Sequence, residues 1–144
     1  LGGSLAAISG NIIALLFDME VRKKMPFLFE NLEVYKKSML FVVEVYSIAR
    51  NIGDRSIKDQ ITRAALSIPL NIAEGQGRMH LREKRQYYNT ARGSLLECVP
   101  LLQICEKLEY IDKVKYEKLY NLANEISKMT SGLINSLKEY GKID

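Results

Sequence analysis

Glu74 and Glu97 each stand among small and apolar neighbours, in Asn71-Ile72-Ala73-Glu74-Gly75 and Ser94-Leu95-Leu96-Glu97-Cys98. Two carboxylates brought together across a helix pair can act as general acid and base. That chemistry also needs a pocket, a substrate-binding constellation and a further functional group, and the sequence displays none of these. Arg63, Ser67, Asn71 and Glu74 recur at spacings of three and four, with Ser94 and Glu97 available to face them from a second helix. Such a set is expected to form a structural polar network, because polar groups near a core must be hydrogen-bonded. No catalytic residue is assigned.

Other reactive side chains are sparse. Cys98 and Cys105 are seven residues apart in one helical pattern, about 10 Å along the axis, too far for an intrachain disulfide. They read as buried thiols in a reduced, cytoplasmic protein. His80 is the single imidazole, which leaves a metal site without ligands. The chain has no glycine-rich phosphate loop after a strand, no Cys/His dyad and no repeated Glu-x-x-His, so no cofactor and no small-molecule substrate is expected.

The remaining candidate site is electrostatic. Arg78, Arg82, Lys84 and Arg85 cluster beside His80, Tyr87 and Tyr88, and Lys36 and Lys37 lie near the same end if the helices run antiparallel. Lysine and arginine would contact phosphates and Tyr87 would stack a base, giving weak sequence preference and strong salt dependence. The competing reading is a solvated helix face, since Glu30, Glu33 and Glu83 are interspersed. The formal charge of +4 and pI near 9.0 permit RNA or DNA as partner without requiring it.

These residues need helices to hold them. With 144 residues, 47% hydrophobic and 26% charged, the chain has the size and composition of one globular domain, and its long segments are rich in Leu, Ala, Lys and Glu. Leu32, Tyr35, Met39, Val42, Tyr46 and Ala49 form one apolar stripe, with Val34, Phe41, Val45, Ile48 and Ile52 a second, predicting a helix over 31–51 capped by Asn31. A second helix over 56–75 starts at Ser56, is bent at Pro69 and breaks at Gly75-Gln76-Gly77. A third over 80–108 carries a bend at Pro100, and a fourth over 112–140 is capped by Asp112. The short links make sequential helices antiparallel, so the expectation is an all-α, up-down-up-down four-helix bundle with kinked helices over residues 25–144. The two stripes of the first helix exceed what one bundle buries and imply a partner surface, such as a second copy of the chain.

Residues 1–24 are set apart as an N-terminal extension, either non-native or a docking helix over Ile8–Phe17. Leu5–Phe17 is too short and too interrupted to span a membrane and lacks a basic leader, so no membrane partner is expected.

Ser67-Ile68-Pro69-Leu70-Asn71-Ile72-Ala73-Glu74-Gly75, within Gln60–Arg78, is followed by Ala91-Arg92-Gly93-Ser94-Leu95-Leu96-Glu97 and Leu108-Glu109-Tyr110-Ile111. With Phe29-Glu30-Asn31-Leu32-Glu33-Val34-Tyr35-Lys36 at its start, the chain over about 27–140 resembles the bacterial four-helix-bundle family of 23S ribosomal RNA intervening-sequence proteins. The resemblance implies a ring-like homopentamer and kinship with the nucleic-acid-binding accessory proteins of diversity-generating retroelements. It supplies no catalytic residues. The expected function is a non-catalytic oligomeric bundle associated with structured RNA or a ribonucleoprotein, the alternative a protein-interaction scaffold without nucleic acid.

Overall fold

The computed structural model describes residues 12–13 and 27–140. Apart from Ile12 and Ile13, the segment 1–24 and its docking helix lie outside the described residues. The described residues form no strand and four long helices: α1 Glu33–Ala49, α2 Arg55–Gly77, α3 Leu81–Lys107 and α4 Lys113–Tyr140. A 3-10 turn, Leu28–Asn31, leads into α1. α2 packs on α1 and α3, and α4 packs on α3 and α1, while α1 and α3, like α2 and α4, are not adjacent helices. The bundle is therefore a closed antiparallel square with α1 and α3 on one diagonal.

One face of every helix supplies the core. Phe41 and Val45 of α1, Ile61, Ile68 and Ile72 of α2, Leu95, Cys98 and Leu102 of α3, and Leu119 and Ile126 of α4 are all essentially inaccessible to water. Burying each such side chain stabilises the fold by about 1.5–3 kcal/mol relative to leaving it exposed. The two stripes expected on α1 divide: Val34, Phe41, Val45 and Ile48 are buried, whereas Met39 and Tyr46 are each 43% exposed.

Two helix starts differ from the sequence expectation in the residue that precedes them. Leu32, not Asn31, precedes α1, because residues 28–31 are already wound into the 3-10 turn. α2 starts one residue before Ser56, because the Asp54 carboxylate accepts the amide of Ile57 at 3.0 Å. Asp112 caps α4 as expected, accepting from the Lys115 amide at 2.8 Å. At the far end of α3, Glu109 takes a left-handed φ of 60° so that the Tyr110 amide reaches back to the Cys105 carbonyl at 2.9 Å. That is a Schellman closure made without glycine.

Pro69 and Pro100 both lie inside helices that are unbroken on either side of them. Pro69 is buried on the core side of the helix, beside Ile68. The Gly75-Gln76-Gly77 stretch is likewise helical and does not break α2. Gly75 is needed for proximity: a Cβ there would lie 2.7 Å from the Tyr88 ring and 3.1 Å from Cβ of Tyr87. Tyr88 in turn is 2% exposed and packs with Ile134 and Leu137 into a small second core at this end of the bundle.

Gly75→Ala is expected to lower unfolding stability by about 1–3 kcal/mol through overpacking against Tyr88. Gly132→Ala, where an added Cβ meets nothing within 4 Å, is expected to raise it by up to about 1 kcal/mol. Urea denaturation of both variants measures the contrast.

Candidate nucleic-acid interface

The cationic cluster sits on the corner where α2 passes into α3 through Arg78, Met79 and His80. The corner is tight because α2 and α3 have already closed on each other at Gly75. Part of its charge is already paired within the chain. Arg78 donates to the Glu74 carboxylate and, at 2.9 Å, to the Tyr87 hydroxyl, with its guanidinium carbon 4.9 Å from the Tyr87 ring centroid. The hydrogen bond from Arg78 to Glu74 holds the Arg78 guanidinium above its ordinary pKa. Lys84 reaches back 3.3 Å to the Gln76 carbonyl, near the end of α2 where carbonyls lack helical partners. Arg82 is exposed and forms no ion pair among the described residues, and Arg85 is half-buried.

Of the two tyrosines, Tyr88 is unavailable to a ligand. Its ring is in the core, its hydroxyl donates to the Gln76 side-chain oxygen at 2.9 Å, and burial pushes its pKa up. Tyr87 is half-buried and bonded to Arg78. Lys36 and Lys37 are both ion-paired: Lys36 with Glu33 of its own helix at 2.8 Å, and Lys37 across to Glu125 of α4. The Lys36 ammonium, through hydrogen bond and charge, holds the Glu33 carboxyl below its usual range. The structure thus brings Arg78, Lys84, Tyr87 and the exposed Arg82 to one corner, while Lys37 is turned toward α4 and Lys36 is paired along α1.

The polar residues of α2 and α3 divide as well. Ser67 Oγ lies 2.7 Å from Ser94 Oγ across the helix pair, and the Asn71 amide donates to Ser67 at both its hydroxyl, 2.9 Å, and its carbonyl, 2.7 Å. Ser94 Oγ is also 3.0 Å from the Thr90 carbonyl. This seam joins three of the six residues singled out in the sequence. Glu74 belongs to the corner through Arg78, while Arg63 and Glu97 are exposed. The two carboxylates of the acid/base alternative therefore have separate surroundings, one salt-bridged and one solvated. Beneath Glu97, burial and the nearby carboxylate push the Cys98 thiol up to about 12, and burial raises Cys105. Both thiols are free and buried.

Two features escaped the sequence reading. Gln76, placed in a presumed break, is the acceptor for both Lys84 and Tyr88. Leu40 and Val43 on α1, with Leu66 and Leu70 on α2, are 61%, 62%, 39% and 65% exposed and, with Met39 and Tyr46, form an apolar outer face. Leu40 and Val43, three residues apart on α1, carried that signal, and they belong to neither of the two stripes read from the sequence. Among the described residues no helix is long and apolar enough to cross a membrane, and no three His, Cys, Asp or Glu gather where a metal could bind.

The seam predicts a selective cost. Ser67→Ala removes the group shared by Asn71 and Ser94 and is expected to destabilise by about 1–2 kcal/mol. Glu74→Gln loses only a half-exposed surface pair and is expected to cost less than about 1 kcal/mol. Thermal melts of the two variants, with a Ser67/Ser94 double-mutant cycle, separate seam from surface.

The comparisons agree with this architecture. No curated protein matches the chain. A crystal structure of a protein with unknown function from the S23 ribosomal protein family of Bacteroides thetaiotaomicron superposes with a TM-score of 0.66 at 26% identity, covering 70% of this chain and 97% of that one. Residues 30–132 match the family model described as 23S rRNA-intervening sequence protein. A match over that share of the chain, with the same bundle fold, makes this protein a member of the 23S rRNA-intervening sequence protein family.

Proposed function

We propose that the protein works without chemistry of its own, as a homo-oligomeric bundle that presents its α2–α3 corner to the phosphates of structured RNA. The observation that carries the assembly half is the outer α1–α2 face. Leu40, Val43, Leu66 and Leu70 are exposed together on neighbouring helices. Contiguous apolar surface of this kind marks an interaction site. The RNA half is supported by the family's name and by the exposed Arg82 beside Arg78, Lys84, Arg85 and Tyr87. A single corner offers few free cations, because Arg78 and Lys84 already have internal partners. Repetition of the corner around an oligomer would supply the missing affinity through avidity. The cytoplasmic location and the five-membered ring remain part of this reading.

A second reading has its own support. The same internal pairing of Arg78 and Lys84 suits a corner that is structural, with a protein partner on the apolar face and no nucleic acid.

Fluorescence anisotropy with a structured RNA across a salt series distinguishes them. The first reading expects binding at low salt that weakens steeply as salt rises. Arg82→Glu combined with Arg85→Glu is expected to weaken it and to reduce the slope of log K against log salt by about two. Absence of binding at low salt, or binding indifferent to the double reversal, favours the scaffold.

A further inference from the structure

We infer that Phe27 is a stacking platform for an unpaired base of RNA, set beside the cationic corner. This rests on the RNA reading above and adds the class of RNA taken, a single-stranded loop or end, and the residue that holds it. Spacing alone assigns base stacking to Tyr87, but the Arg78 guanidinium lies 4.9 Å from the centroid of that ring and bonds its hydroxyl. Tyr88 is in the core. Phe27 has the free face that both tyrosines lack. Its ring lies 5.7 Å from that of Phe29 with 15° between the planes, and Phe29 meets Tyr35 edge-on at 4.9 Å. Tyr35 packs against the main core, so the three rings run from the core to the surface and fix the outermost one in place. With Phe29 against one side and the residue still 68% exposed, the opposite side of the Phe27 ring faces water. A ring oriented in advance takes a base with little ordering cost.

The platform borders the corner. Phe29 lines a groove together with Leu70, Gly77 and Arg78, so the stacked rings stand against the end of α2 from which the link to α3 leaves. A base on Phe27 therefore carries its phosphates toward that link, where Arg82 is exposed and forms no ion pair among the described residues. Glu33 and Glu74, at the same end of the bundle, are neutralised by Lys36 and Arg78. In the sequence, Arg22-Lys23-Lys24 runs into Phe27 with only Met25 and Pro26 between, so the chain ahead of the platform is cationic whatever its path. An exposed ring among cations is the combination that holds single strands, the cations tracking the backbone and the ring taking a base. Bases inside a duplex are paired and stacked on one another, and they reach the platform only if the helix opens.

Fluorescence anisotropy of the full chain with two labelled probes, a single-stranded oligouridylate and a fully paired RNA duplex of equal length, tests this at low salt. The oligouridylate is expected to bind more tightly than the duplex. Phe27→Ala is expected to weaken oligouridylate binding by at least about fivefold and to leave the salt slope unchanged, because the ring carries no charge. Phe27→Trp is expected to keep the natural affinity. Equal binding of the two probes, an unaltered affinity in Phe27→Ala, or a loss in Phe27→Trp as large as in Phe27→Ala overturns the inference. The corner reading survives any of these if Arg82→Glu with Arg85→Glu still weakens binding. Sedimentation velocity of Phe27→Ala guards against an indirect effect: a smaller species than the natural chain forms would overturn the inference in favour of Phe27 as a contact between copies. Binding of neither probe removes the corner reading and this inference together.

Discussion

The close approach of α2 to α3 is the constraint from which the rest of the molecule follows. Gly75 lets the Tyr88 ring lie where a Cβ would be, and two turns away the Ser67, Asn71 and Ser94 seam fixes the helices' axial register. With α2 and α3 locked at that distance, the connection between them needs only Arg78 to His80. Of the corner cations, Arg78 and Lys84 are consequently held by internal bonds to Glu74, Gln76 and Tyr87, while Arg82 stays exposed. The same packing directs Tyr88 into a second core with α4, so the corner is tied to two helices rather than projecting as a loop. A hydroxyl and amide seam suits this role because its geometry is directional, whereas apolar packing alone tolerates sliding along a helix.

The outer surface inherits its division from the square arrangement. The α1–α4 side is bridged by Lys37 to Glu125 and Lys118 to Glu44, and the α2–α3 side by the seam, so both are satisfied within one chain. The outer side of α1 and α2 has no such internal satisfaction. A family bundle with this partition has the physical means to assemble through apolar contact while leaving the corner open to solvent. Surface ion pairs on the bridged sides contribute little stability individually. They do discourage apolar partners from those sides.

Four helices were legible from the spacing of apolar residues because the signal is repeated over 17 to 28 residues in each. Helix ends were less legible. Asp54 and Ser56 are both competent caps two residues apart, and only the backbone geometry chooses between them. Gly75 illustrates a deeper ambiguity, since a glycine that ends a helix and one that admits a neighbouring ring look alike in sequence. Ser67 and Asn71 were recognisable as a seam because they interrupt an apolar helix at helical spacing. Arg63 and Glu97, on the same pattern, face water, and a shift of one helical position decides between the two fates. The corner's reduced charge was invisible for another reason: which cations find carboxylate, carbonyl or tyrosine partners depends on rotamers and on the third dimension.

Native mass spectrometry of the purified chain under low-salt, non-denaturing conditions tests the central claim most directly, namely that this bundle functions as an assembly of copies. The account predicts an integral multiple of the 16.4 kDa chain mass, with five subunits the number implied by the family resemblance. A chain that stays at 16.4 kDa at every concentration at which it is soluble would contradict it.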